Sequence, residues 1–307
     1  MSTPSFTSKF HKKAYPFISP TQPELSARGK VVLVTGSGSG IGQATAIEFA
    51  QADAKALILC GRRKDALEET KLKIDSHRKK VEVLIIPLDV SDEYQVPFAF
   101  QTAKSTFGDI DIVINSAGYF PDKGLLKDTS VSNFWTAFEV NMKGSFLVAQ
   151  AFLRTCPPSE KHPKILIILS SALAVYPGSL MKSVPAAYPI TKLAEFKFAE
   201  YLAVENPDNF RVYAIHPGVI DTDMSKRSIA MAPDPEALRT ILNYEDVELS
   251  AGFMLWLCSE RGRCMPSGRA LWINWDVDEL EARAHELKKD PFLLTIGVLG
   301  WPFARTE

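Results

Sequence analysis

VLVTGSGSGIGQATA, residues 32–46, is the stretch on which the reading of the whole chain turns. Glycines stand at 36, 38, 40 and 42, between a β-branched run and an alanine-containing helical pattern. The G-x-G-x-x-G spacing of many dinucleotide loops fails here: from Gly36 the third glycine would fall at Ile41, and from Gly38 at Gln43. The loop reads instead Thr35-Gly36-x-x-x-Gly40-Ile41-Gly42, directly after a strand and opening a helix. In that context glycines let the backbone turn tightly and approach a pyrophosphate held at the helix N-terminus. On these residues alone, a merely flexible strand-to-helix turn is the alternative.

Outward from the loop, short β-branched runs alternate with longer helical patterns. The strands expected are 30–35, 56–60, 81–88, 111–116, 164–170, 210–216 and 269–274; the helices are 41–52, 64–77, 92–106, 132–154, 187–205 and 246–259. Repeated strand–helix–strand units predict an α/β fold, a Rossmann-type doubly wound sheet, mostly parallel and seven-stranded, with helices on both faces. The runs are apolar throughout, as strands covered on both faces must be. No low-complexity linker divides the chain, so residues 30–274 read as a single catalytic domain. Residues 1–29, with prolines and serines, read as an extended arm. Residues 275–307, a charged helix followed by an apolar tail, are expected to pack on the domain or on a partner subunit.

Composition narrows the class. The 307 residues are 46% hydrophobic and 23% charged, with a formal net charge of −1, which offers no surface for nucleic acid. The longest apolar runs, such as ILIIL at 165–169, fall far short of the roughly 20 residues of a membrane span. Residues 1–30 hold no signal-peptide apolar run; Lys9, Lys12 and Lys13 would suit a transit peptide, but the accompanying arginines are missing. Cys60, Cys156, Cys258 and Cys264 form no C-x-x-C pair and read as buried thiols in a reducing compartment. A cytoplasmic enzyme is the expectation. No His/Cys/Asp cluster has ligand spacing, so no metal is expected.

T-G-x-x-x-G-I-G is the spacing of the short-chain dehydrogenase/reductase family, and the resemblance runs from about residue 30 to 274. LDV at 88–90 is similar to the family's adenine-pocket segment, NSAG at 115–118 to its N-N-A-G, and VNMKG at 140–144 to its V-N-x-x-G. LSSA at 169–172, YPITK at 188–192 and HPGVIDT at 216–222 follow in the family's order. The arm and the INWDVDELEARAHEL tail further resemble fungal members. The resemblance implies cofactor contacts at Gly36, Ser37, Ser39, Gly40, Ile41 and Gly42, then at Asp89 and Val90. It adds Asn115, Ala117 and Gly118 after the fourth strand. Pro217, Gly218, Ile220 and Thr222 match the segment that holds the carboxamide and pyrophosphate.

Tyr-x-x-x-Lys occurs twice, at Tyr119/Lys123 and at Tyr188/Lys192. The first contains Pro121 in a loop, where the spacing has no fixed geometry. The second opens a helical pattern, where residues four apart share a face, and Pro189 falls in the first turn where proline is tolerated. A phenol with a pKa near 10 costs roughly 4 kcal/mol to ionise at neutral pH. An ammonium about 4 Å away returns a similar amount at an effective dielectric near 20. Such a pair can work as a general acid–base. By resemblance, Lys192 also holds the nicotinamide ribose, and Ser171 orients the carbonyl, with Ser170 the other choice. Asn141 would keep a water linked to the lysine. Ser171 precedes Tyr188 by a longer interval than is usual in the family, which implies a reshaped substrate loop.

NAD sites usually place an acid after the second strand; here Gly61 and Arg62 stand there. A guanidinium at 62 can pair bidentately with a 2′-phosphate, and cations at 63 and 64 oppose the dipole of the helix they begin. NADP(H) is therefore expected over NAD(H), with Ser37 and Ser39 as lesser contacts. Substrate walls are expected from Tyr119, Phe120, the 172–186 loop and a lid-like insertion at 223–245 with Met224 and Met231. The reading is an NADPH-dependent carbonyl reductase or alcohol dehydrogenase for a ketone or secondary alcohol of moderate size, in fungal secondary metabolism by resemblance. Two alternatives use the same fold: a non-redox isomerase or cyclase, and a nucleotide-sensing binding protein. Family analogy also implies a homodimer or homotetramer built through 132–154 and 187–205.

Overall fold

The computed structural model describes residues 5–77, 81–122, 124–181, 184–232 and 234–298. Among them are seven strands: β1 (Val31–Thr35), β2 (Ala56–Gly61), β3 (Glu82–Pro87), β4 (Ile112–Asn115), β5 (Lys164–Leu169), β6 (Phe210–His216) and β7 (Ala270–Trp272). They form one sheet in the order β3-β2-β1-β4-β5-β6-β7, every neighbouring pair parallel. The chain reverses direction across the sheet between β1 and β4, where doubly wound folds open a crevice at the strands' carboxyl ends.

Alternation along β1 divides the core. Val32 and Val34 face one layer with Phe49 and Trp256, while Val31 and Leu33 face the other with Phe100 and Phe152. The first layer is built by α1 (Gly40–Gln51) and α2 (Lys64–Ser76). The second is built by α3 (Gln95–Phe107), α4 (Val131–Ala137), α5 (Gly144–Thr155) and α6 (Ala187–Glu205). Two short helices follow, α7 (Asp223–Ala230) and α8 (Pro235–Ile241). Then α9 (Val247–Cys258) and α10 (Val277–Lys289) return to the first layer. Phe49, Phe100, Phe152 and Trp256 are fully buried, each contributing on the order of 1.5–3 kcal/mol of transfer free energy. All four cysteines are free, and Cys60, Cys156 and Cys258 are buried.

Two expectations need correction. The helix expected at 132–154 is α4 and α5 joined through a π-helical turn, Phe138–Lys143, which places Asn141 in a widened segment. Hydrophobic period alone does not reveal an inserted residue of that kind. The arm does not extend away: Pro16–Ile18 and Pro23–Leu25 form single 3-10 turns, and Ile18 and Leu25 bury themselves in the first core layer. Thr7 Oγ1, the His11 carbonyl and the Tyr15 hydroxyl accept from Asp276 N, the Asn274 amide and Val277 N, and His11 Nε2 pairs with Asp276 at 2.8 Å. The tail lies on its own domain as far as residue 298, Leu294 accepting from Ala270 N and Ile296 donating to Glu200; its last nine residues lie outside those described. Among the described residues no helix is long and apolar enough to cross a membrane.

Candidate active site

The loop expected to cradle a phosphate turns out from β1 through Gly36, whose φ of +66° is the left-handed region that disfavours any side chain. A Cβ there would stand 2.9 Å from Ala117 N, and one on Gly42 only 2.5 Å from the Gly36 carbonyl oxygen. Gly42 is required because α1 is pressed directly onto its own loop, and Gly36 because the backbone after β4 runs against it. Ser39 caps α1 without any side-chain hydrogen bond, so the first-turn N–H groups keep no capping partner from it. By contrast α7 carries a complete capping box from Thr222 and Ser225. An uncapped helix start at a glycine turn leaves N–H donors of the kind that can hold an anion.

That start opens on a cavity of about 310 Å³ at the carboxyl end of the sheet. Gly36, Ser39, Gly40 and Ile41 line it with Arg62 at one end; Asp89, Val90, Ala117 and Gly118 form its floor. Pro217 and Thr222 close one side, and Tyr188 and Lys192 stand at the far end. Several residues expected at the site lie behind the wall instead. Ser37 is fully buried beneath the loop, its N–H and hydroxyl both directed to the Cys60 carbonyl, so it supplies no lining contact. Gly42 acts through packing alone. Asn115 turns its amide inward, accepting from Thr35 and donating to Ser145. Gly218 and Ile220 shape the turn after β6, which Glu245 holds by accepting from Val219 N at 2.6 Å. The lining also includes Leu88, Ser116, Val140 and Leu169, which lie within the motifs but were not expected as contacts, and Thr136 and Asp223, which lie outside them.

Tyr188 and Lys192 stand one turn apart on α6, the ammonium 5.8 Å from the phenol ring centroid. Ser171 stands close enough to the Tyr188 phenol to lower its pKa, and its hydroxyl accepts from Leu173 N at 3.2 Å. Ser170 spends its proton on the Lys192 carbonyl at 2.6 Å, so the phenol-facing hydroxyl is that of Ser171. Asn141 is fully buried: its carboxamide oxygen accepts from Tyr119 N at 2.8 Å, and its amide donates to Tyr119 O and Thr191 Oγ1. Both side-chain donors are committed to protein groups, and the Asn141 backbone carbonyl accepts from Ser145 at 2.6 Å. Of the rival pair, Tyr119 donates its phenol to Asn133, and Lys123 lies outside the described residues.

The electrostatics differ from the simple two-group estimate. Burial pushes the Tyr188 phenol above its ordinary pKa; the Lys192 ammonium and the Ser171 hydroxyl pull it down, while a carboxylate, Glu195, pushes it up again. Phe120 packs its ring 4.7 Å from that of Tyr188 and supplies part of the burial. Lys192 does not point freely at the phenol. It donates to the Leu169 carbonyl at 2.8 Å and to Glu195 Oε1 at 3.1 Å. Glu195, only 1% exposed, was missed in the sequence although it left a signal. It is an acid on the same stripe of α6 as Lys192, Ala199 and Leu202, where every other step is buried. Burial pushes its carboxyl up to about 7, against the lowering pull of Lys192.

Over the cavity, the 223–245 insertion forms α7 and α8, with Met224 on the cavity wall. Arg227 of α7 pairs with Asp122 at 2.5 Å and so ties the insertion to the Tyr119 loop. Residue 233, like residues 182–183 of the 172–186 loop, is outside the described part of the chain.

A doubly wound parallel sheet whose switch-point crevice carries an uncapped glycine turn at one end and a Tyr–Lys–Ser group at the other defines a nucleotide-dependent oxidoreductase. Residues 30–232 match the short chain dehydrogenase family model, and the chain belongs to that family of NAD(P)-dependent enzymes. It is 33% identical over 287 residues to the short chain dehydrogenase citE of Monascus ruber, covering 92% of this chain and 93% of that one. Short chain dehydrogenase pigC of the same species is also 33% identical, over 92% of this chain and 90% of its own. Among solved structures, levodione reductase superposes with a TM-score of 0.73 at 26% identity, over 80% of this chain and 96% of that one. A Burkholderia cenocepacia short chain dehydrogenase in complex with NADP gives 0.70 at 25% identity, over 82% and 99%.

Proposed function

We propose that this enzyme is an NADPH-dependent carbonyl reductase, or the corresponding alcohol dehydrogenase, for a ketone or secondary alcohol of moderate size and apolar character. The observation that carries it is the Tyr188–Lys192 pair on the cavity wall remote from the glycine turn, with Ser171 beside the phenol. The first turn of α1 would hold the pyrophosphate, Asp89 and Val90 the adenine side, and Arg62 a 2′-phosphate. Among the described residues no carboxylate pairs with Arg62, which stands exposed at the cavity's end. Bound nicotinamide supplies or accepts the hydride at the substrate carbon.

The chain's own groups do the rest. Tyr188 donates its proton to the substrate oxygen in reduction and takes it back in oxidation. Ser171 donates to the same oxygen and stabilises charge as it develops there. Lys192 stabilises the phenolate left behind, and Asn141, by clamping the Tyr119 backbone to α6 through Thr191, keeps the wall opposite in place. Val140 and Met224 give the cavity apolar lining, and Phe120 packs against Tyr188, which fits a carbonyl of fungal secondary metabolism. A cytoplasmic homodimer or homotetramer is part of the same reading, with Trp135, Phe146, Ile190 and Tyr201 exposed on α4, α5 and α6.

The test begins with NADPH and NADH titrations followed by cofactor fluorescence, then a carbonyl-substrate screen with Tyr188→Phe as control. Loss of turnover with retained NADPH binding in the variant supports a reductase. Turnover indifferent to Tyr188 would favour a sensor or a non-redox role, and binding of neither nucleotide would overturn the reading.

A further inference from the structure

Glu195 is an expensive residue to keep. It is 1% exposed, and two hydroxyls beside it have their protons committed elsewhere: Ser170 to the Lys192 carbonyl and Ser145 to the Asn141 carbonyl, both at 2.6 Å. Ser145 Oγ lies 3.3 Å from Glu195 Oε1 and itself accepts from Asn115, which in turn accepts from Thr35 at the root of the glycine loop. The remaining donor is Lys192, whose Nζ stands 3.1 Å from Oε1 and 3.0 Å from Oε2. A buried carboxylate satisfied by one cation and little else is coupled tightly to where that cation sits.

An ammonium has three N–H donors. Two are held on the protein side, by Leu169 O and Glu195, which leaves one for a ligand in the cavity. Glu195 also places a negative charge on the same ammonium that is expected to assist the phenol. We infer that Glu195 is a positioning residue for the proton-transfer step, drawing the Lys192 ammonium onto the inner face of α6 and offsetting its charge at the Tyr188 phenol. The inference rests on the reading of Tyr188 as the proton donor. Among the described residues the ionisable groups facing Glu195 are Lys192, one turn away on α6, and Tyr188; Ser145 from α5 and Ser170 after β5 meet it as neutral hydroxyls.

The sign follows. In the alkaline range where a tyrosine ionises, Glu195 carries its full negative charge and opposes the phenolate. Removing that charge must make Tyr188 a stronger acid. The experiment uses the full chain without cofactor and follows phenolate absorbance against pH, with the Tyr188→Phe trace subtracted in each background to isolate this one tyrosine. In Glu195→Gln the Tyr188 midpoint should fall by about one pH unit, the size expected of one charge several ångströms away at an effective dielectric near 20. Glu195→Leu, which fills a similar volume without charge, should give the same fall and replaces the glutamine variant if circular dichroism finds it unfolded. Glu195→Asp should return the midpoint toward wild type.

A midpoint unchanged or raised in the folded, uncharged variants would overturn the role, since a purely structural residue alters melting temperature and leaves the titration where it was. NADPH and NADH titrations of the wild-type chain separate the two ideas. Binding of neither nucleotide strikes the redox reading, whereas an unmoved midpoint in a chain that binds NADPH strikes Glu195 alone.

Discussion

Replacing Gly42 with alanine should separate the stability of the fold from the binding of its cofactor. The added Cβ would lie 2.5 Å from the Gly36 carbonyl oxygen and 3.2 Å from Ser116 Oγ, where ordinary contact begins at 3.4 Å. The start of α1 must therefore draw back from the loop by up to about 0.9 Å, the difference between those distances. Overpacking of this kind costs roughly 1–3 kcal/mol, offset by up to about 1 kcal/mol because alanine is the better helix former. A net loss of about 1 kcal/mol lowers the melting temperature by about 2–4 °C for a domain of this size. Binding suffers more. An N–H bond of about 2.9 Å stretched by most of an ångström is no longer a hydrogen bond. Losing two such bonds to a charged group, each of roughly 1.5–3 kcal/mol, weakens binding about 100-fold or more. Fluorescence titration and thermal unfolding on the same preparation test both halves. Gly38→Ala is the control, because its Cβ is crowded only by the Ala66 methyl, at 3.0 Å, and meets Ala66 C and Leu67 N at ordinary contact distance. If Gly42→Ala binds NADPH as the wild type does, the pyrophosphate does not sit at the start of α1.

Arg62→Ala should weaken NADPH about 10- to 100-fold and leave NADH unchanged, the range for one solvent-exposed, charge-assisted bidentate pair; the same loss for both nucleotides would refute the 2′-phosphate assignment. Asp276→Ala removes the side chain that caps α10 by accepting from Glu279 N and that holds His11. It should cost about 1–2 kcal/mol and expose the arm to limited proteolysis, whereas an arm as resistant as in the wild type would refute its anchoring there. Burial, with Glu248 nearby, pushes the buried Glu48 carboxyl up to about 7, so the folded state keeps its proton over a range in which the unfolded chain releases it. That stability is complete below about pH 4.5 and lost as pH rises through 7. Glu48→Gln should therefore melt higher than wild type at pH 8, by about 2–3 kcal/mol, and equally near pH 4; a pH-independent difference would refute the shift.

How far the residues spoke for themselves depended on whether their role was local. The seven strands were legible to within a residue or two, because covered parallel strands must be apolar on both faces. Gly36 and Gly40 announced themselves because positive φ is a demand on one residue. Tyr188 and Lys192 were legible because a helix turn sets their spacing. Ser37 misled, since a hydroxyl in a glycine loop looks like a phosphate ligand until β2 is placed beside it. Asn141 was noticed as an amide out of place, but its partners at 119 and 191 are distant in the chain, and the π turn that presents it has no compositional mark. Glu195 shows the limit most plainly: an acid on an apolar stripe was visible, yet its effect on Tyr188 exists only once β5, α5 and α6 meet.

The bonding of residues 5–15 to 274–283 also bears on how the protein is made. His11 and its partner Asp276 are separated by 265 positions. At roughly 5–20 residues per second, a ribosome needs on the order of 15–50 s to synthesise that interval. Throughout that time Phe6, Ile18 and Leu25 have been made, but the strand end and helix that cover the arm have not. A segment made early is thus among the last to find its place, and the emergence of residues 274–283 becomes the event that seals the fold around it.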